Sequence, residues 1–161
     1  MKNEILNHLE TNAKLTPAEL AVFMGESEPN VSASINELEE SGVICGYHTL
    51  INWEKTDREH VTALIEVRVI PARDRGFDQV AERIYRFDEV KAVYLMSGGY
   101  DLCVILEGKT MRDVAYFVSS KLATLESVQS TATHFVLKKY KDHGQILSGI
   151  DKTDERMVVS P

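Results

Sequence analysis

Thr16-Pro17-Ala18-Glu19-Leu20-Ala21-Val22-Phe23-Met24-Gly25-Glu26-Ser27, followed at once by the Glu28–Glu40 run EPNVSASINELEE and then Ser41-Gly42, is the stretch on which the fold turns. Threonine is a favoured N-cap, and proline suits the first helical position, where its missing N–H is no loss. A helix therefore starts at Thr16-Pro17, buries Leu20, Ala21 and Met24, and stops at Gly25. Gly25-Glu26 makes a tight turn, and Ser27 caps a further helix whose Val31, Ile35 and Leu38 stand at i, i+4 and i+7. That helix ends at Ser41-Gly42, with glycine as the C′ residue. Upstream, Ile5, Leu6 and Leu9 lie at helical spacing and mark a short first helix that ends near Asn12. Three helices with a short turn before the third make a helix-turn-helix.

Downstream, Val43-Ile44-Cys45-Gly46-Tyr47 reads as a strand, the wing of a winged helix-turn-helix, continued in extended form through residues 48–52. Residues 53–60 are polar and read as a linker, with Trp53 packing beside it. From there the pattern is β-α-β-β-α-β. Residues 61–70 form a strand ended by Pro71, and Phe77, Val80, Ala81 and Ile84 mark an amphipathic helix. Strands at 90–96 and 100–106 are joined by Ser97-Gly98-Gly99. Thr110 and Asp113 form a capping box for a helix with Val114, Phe117, Val118, Leu122 and Leu125 on its apolar side, and residues 128–140 are the last strand. The expected class is α+β. A winged helix-turn-helix DNA-binding domain (1–52) and linker (53–60) precede a ferredoxin-like β-α-β-β-α-β domain (61–140) and a C-terminal tail (141–161). The tail is polar except for Ile146-Leu147 and Met157-Val158-Val159, which leaves docking and mobility both open.

Composition excludes several classes. Hydrophobic residues make up 43% of the 161, enough to rule out a disordered chain. No apolar run nears the ~20 residues of a membrane span, and the N-terminus holds acids where a signal peptide is apolar, so a cytoplasmic protein without membrane partners is expected. Cys45 and Cys103 lie far apart in apolar segments and read as buried thiols. The five histidines lack metal spacing, and no nucleophile elbow, P-loop or GxGxxG is present. We therefore expect no metal, no cofactor and no catalytic residues.

Four segments together resemble the leucine-responsive/AsnC (feast/famine) family of bacterial transcription regulators. They are Leu15-Thr16-Pro17-Ala18-Glu19-Leu20-Ala21, the run from Leu38 to Tyr47, Gly98-Gly99-Tyr100-Asp101-Leu102, and the run from Thr131 to Leu137. The resemblance implies a DNA-binding regulator that forms homodimers through its C-terminal sheets, often assembled further to octamers. It also implies an amino acid or similar small molecule bound at dimer–dimer contacts.

Within this frame the third helix enters the major groove of double-stranded DNA, with Ser27 and the first helical amides near a phosphate. Pro29, Asn30, Ala33, Asn36 and Glu37 face outward. Asn30 and Asn36 suit adenine edges, and Ser32 or Ser34 a base or phosphate. Gly98 and Gly99 shape a hairpin turn; their bare amides also suit a ligand carboxylate, with Asp101 as counter-charge for an α-amino group and Tyr100 as a wall. By resemblance, ligand contact is favoured there, with Thr131 and Thr133 as further candidates.

The charge pattern departs from the family. Residues 1–60 hold four basic and eleven acidic side chains, a net of −7, whereas residues 61–161 hold 14 of each. Between Leu15 and Glu54 there is no Lys or Arg against seven glutamates, and the family usually carries cations where this chain has Ala33, Ser34, Asn36 and Glu37. The counterion-release contribution to DNA affinity is locally missing. The alternative is a ligand-sensing oligomer whose acidic winged helix contacts a protein and has little DNA affinity. An enzyme on a ferredoxin-like sheet is a third, disfavoured reading.

Overall fold

Capping chemistry sets the helix starts in the first unit. Helices α1 (Lys2–Thr11), α2 (Pro17–Met24) and α3 (Glu28–Glu40) follow one another within Met1–Leu50. Thr16 accepts from the Glu19 amide while the Glu19 carboxylate accepts from the Thr16 amide, a reciprocal capping box. Those bonds to Thr16 hold the Glu19 carboxyl below its ordinary range. Gly25 takes the left-handed conformation (φ 66°) that ends α2. Ile5, Leu20, Ala21, Val31, Ile35 and Leu38 form the buried core, with Ile44 and Met24 packed against it.

The computed structural model describes residues 1–70 and 76–148; Pro71 and residues 149–161, including Met157-Val158-Val159, lie outside the described residues. A second unit starts at Ile51. Its strands β1 (Val61–Val69), β2 (Val90–Leu95), β3 (Leu102–Gly108) and β4 (Val128–Phe135) pair antiparallel in the order β2-β3-β1-β4. Helix α4 (Asp78–Tyr85) and helix α5 (Met111–Phe117), the latter extended by a π turn over Val118–Leu122, complete the β-α-β-β-α-β order. Ala63, Ile65 and Val67 face Leu106, Val104 and Leu102 in register and bury against Val80, Ile84, Val114, Phe117 and Leu122. The Thr110/Asp113 capping box opens α5.

Three expectations need correction. Residues 43–52 form no strand: Ile44 packs on the helical core and its amide donates to the Leu38 carbonyl, and the stretch joins no ladder among the described residues. Cys45 is therefore exposed, not buried; Cys103, in the middle strand β3, is buried. The last strand ends at Phe135, opposite Ala63, because β1 has only Val61 and Thr62 left beyond that pair. Residues 141–146 add a feature the sequence reading left open. Strands β5 (Lys141–Asp142) and β6 (Gln145–Ile146) form a short hairpin around His143 (φ 43°) and Gly144 (φ 80°), a pair of positive-φ residues typical of primed turns.

Candidate functional site

α3 divides as its spacing requires. Val31, Ile35 and Leu38 are inside, and Pro29, Asn30, Ala33, Asn36 and Glu37 are exposed. The Ser27 side chain makes no capping bond, so its hydroxyl is available at the helix N-terminus. Ser32 is half-buried. Ser34 corrects the sequence reading: it is 4% exposed and its hydroxyl donates to the Asn30 carbonyl at 2.9 Å, so it cannot reach a base or phosphate. It stands three residues after Val31 and beside Ile35, on the inner face, where a small self-satisfied hydroxyl is tolerated.

Electrostatics on this face are acidic and partly self-neutralised. Lys2 approaches Glu37 at 2.6 Å, and that hydrogen bond holds the Glu37 carboxyl below its ordinary range. One of the two cations of the first unit, Lys2 and Lys14, is thus engaged by α3 itself. Glu39 accepts from the Tyr47 hydroxyl at 2.8 Å. Asn30 and Asn36 make no side-chain hydrogen bonds among the described residues, which leaves their amides free to read an edge.

The second candidate site lies at one end of the sheet. The Met96 amide donates to the Asp101 carbonyl at 2.8 Å and closes the turn, and Gly98 has φ 140°, a conformation other residues rarely adopt. Gly98 and Gly99 are exposed, with open space where a Cβ would stand. Partial desolvation, reinforced by Cys103 and Glu66, pushes the Tyr100 phenol up.

Asp101 has a structural task that the sequence did not signal. Its amide donates to the Val67 carbonyl, and its Oδ2 accepts from the Val69 amide at 2.8 Å, just where the β1–β4 register shifts. One carboxylate oxygen thus stitches the turn to β1; Oδ1 has no partner among the described residues. Thr131 pairs with Val67, so it sits at the same end of the sheet one strand away from Asp101, whereas Thr133 lies opposite Ile65, further along β4. The structure therefore brings Gly98, Gly99, Tyr100, Asp101 and Thr131 to one end and leaves Thr133 nearer the middle.

Helices cover one face of this sheet. The alternate residues point the other way: Leu64 and Glu66 of β1, Cys103 and Ile105 of β3, Ala132 and His134 of β4. His134 lies 3.3 Å from Glu66 on that open face. A depression elsewhere in the second unit is lined by Trp53, Arg58, His60, Lys138 and Lys139, among others, and does not include the Gly98–Asp101 turn. No group of three or more metal-ligating side chains occurs among the described residues, and no helix there is long and apolar enough to cross a membrane.

Comparison with known proteins places this geometry. Residues 2–44 match a model described as winged helix-turn-helix DNA-binding, and residues 62–146 match one described as Lrp/AsnC ligand binding domain. The chain is 51% identical over 161 residues to the HTH-type transcriptional regulator YugG of Bacillus subtilis, covering 99% of this chain and 96% of that protein. It is 26% identical over 138 residues to the leucine-responsive regulatory protein of Haemophilus influenzae, covering 86% and 82%. A solved Neisseria meningitidis transcriptional regulator in complex with L-Met superposes with a TM-score of 0.71 at 26% identity, covering 88% of this chain and 90% of that one. The leucine response regulatory protein of Mycobacterium tuberculosis shares the fold with a TM-score of 0.75 at 20% identity, covering 91% and 97%.

Proposed function

The chain belongs to the Lrp/AsnC family of helix-turn-helix transcription regulators, and from that premise we propose that α3 reads duplex DNA while the Gly98–Asp101 turn holds an amino acid or similar zwitterion. Family membership makes it a DNA-binding regulator and not an enzyme. The residues assigned to each role are our own reading. Asn30 and Asn36 meet base edges, Ser32 a base or phosphate, Ala33 lies on the DNA-facing surface, and the Ser27 hydroxyl with the first α3 amides meets a phosphate.

The observation that carries the effector assignment is the Oδ1 of Asp101, without a partner among the described residues, beside two exposed glycines. Carboxylate and bare amides are the complement of an ammonium and a carboxylate on one small molecule. The L-Met in the Neisseria relative supports an amino acid as the ligand class. Homodimers form through the open sheet face, where Leu64 and Ile105 would otherwise stay half-exposed. The turn then lies at contacts between dimers as these assemble toward octamers.

Calorimetry of the full chain against the common amino acids, with gel shifts on a duplex selected by the protein from a random pool, tests this. We expect heat with at least one amino acid, and that amino acid should change either DNA affinity or the mass seen in light scattering. No heat with any of them overturns the effector assignment. Failure to select any duplex overturns the role of α3, in favour of a protein partner for the acidic helix.

A further inference from the structure

A second set of cations gathers far from α3 in the sequence. Arg58, from the segment that follows the helix-turn-helix unit, and Lys138 and Lys139, from the segment after β4, line one cleft. Glu54 is the one carboxylate among its lining residues. The cleft is built rather than incidental. Trp53 stacks on the largely buried His60 ring with centroids 5.3 Å apart, and the Arg58 guanidinium lies 4.5 Å above the Trp53 ring. The guanidinium is held over the ring face and has no acidic partner among the described residues. Lys138 is braced over Tyr140 at 5.1 Å and is likewise without a carboxylate, while Lys139 reaches Asp142 at 3.4 Å. Lys2, Arg86 and Lys121 are each paired with a glutamate, whereas other described cations such as Lys14 and Lys109 are not; the cleft is set apart by gathering three cations in one place.

We propose that this cleft binds the phosphate backbone of the DNA whose bases α3 reads, and supplies the counterion release that the acidic helix lacks. The proposal rests on the DNA-reading role of α3. Guanidinium and ammonium groups with no carboxylate partner among the described residues suit phosphate oxygens. Chain length supports it without reference to how the units sit. Leu50 ends the first unit and Arg58 follows eight residues later, so a fully extended segment spans at most ~29 Å. That is less than one duplex turn of ~34 Å, within which several phosphates of each strand lie. Non-specific affinity thus resides in the second unit and base reading in the first.

Salt dependence of binding by the full chain provides the test, on a duplex selected by the wild type and on an unrelated one. Arg58→Gln/Lys138→Gln should lower the slope of log K against log salt by roughly 1.8 for each subunit bound, about 0.9 per lost contact. It should weaken both duplexes on the order of tenfold at 0.1 M salt and leave the ratio between them unchanged. Lys109→Gln, an exposed cation away from the cleft, should leave the slope as it is. Because Arg58 packs on Trp53, Lys138→Gln alone is the second variant, with an expected slope change of about 0.9. An unchanged slope in both variants, while the wild type still selects and shifts its duplex, overturns the cleft and spares α3. Inorganic phosphate bound in the cleft together with an unchanged slope also overturns it, because the cleft would then hold a small anion only. A wild type that binds no duplex overturns the reading of α3 and this proposal with it.

Discussion

The two units solve the same folding problem with different margins. The first buries six apolar side chains among three helices; the second buries thirteen, among its described residues, between a four-stranded sheet and two helices. Residues 1–60, which include the first unit, also carry the whole net charge of −7, whereas the sequence from residue 61 onward is neutral. A unit of about 50 residues buries a smaller fraction of its surface than a larger one and has less stability to lose. The region that must meet a polyanion is therefore both the more acidic and the less robust, and charge at the groove, not the fold, separates this chain from the family pattern.

Equal truncations in the two cores should expose that margin. Leu20→Ala and Leu106→Ala each remove a fully buried leucine, at about 2–5 kcal/mol. Leu20→Ala should melt the first unit at a urea concentration where the second stays folded, giving two transitions by circular dichroism. Leu106→Ala should lower the second transition and leave it cooperative. A single shared transition in both variants would show that the units do not differ in this way.

Fold was legible in the sequence wherever local chemistry decides. Thr16-Pro17, Gly25, Gly42 and the Thr110/Asp113 pair mark helix ends through bonds made within a few residues, and all stand where expected. Legibility failed where a partner far along the chain decides. Val43-Ile44-Cys45-Gly46-Tyr47 has strand composition, but a strand exists only when paired, and this stretch joins no ladder among the described residues. A small serine such as Ser34 on the inner face looks like a polar face residue until its bond to Asn30 is seen. The charge of Asp101 is legible in sequence, whereas its bond to an amide 32 residues away has no signature there.

Asp101 allows a finer comparison, between structural and ligand roles within one side chain. Asp101→Ala loses a charge-assisted bond worth about 1.5–3 kcal/mol and should lower the second transition. Asp101→Asn keeps an acceptor for the Val69 amide and should recover most of that stability, yet lose the counter-charge for an ammonium. Calorimetry should then show weakened amino-acid binding in a stable protein. Full binding by Asp101→Asn would reduce the residue to its structural bond.

The smallest effect compares the two capping boxes. Thr16→Ala and Thr110→Ala each remove a bond to an N3 amide, at about 1 kcal/mol. The same loss should unfold a larger fraction of the first unit than of the second at a given urea concentration. Equal fractions would mean that the cores are equally robust.

The central claim is that α3 enters the groove despite its acids, and Ala33→Arg/Glu37→Arg tests it most directly. Both residues are exposed on the outward face, and replacing Glu37 also releases Lys2. Fluorescence anisotropy over a salt series should show stronger binding to unrelated duplexes and a slope steeper by roughly 0.9 for each new phosphate contact. No gain on any duplex at any salt concentration, with the variant folded, would place α3 away from DNA and contradict the account.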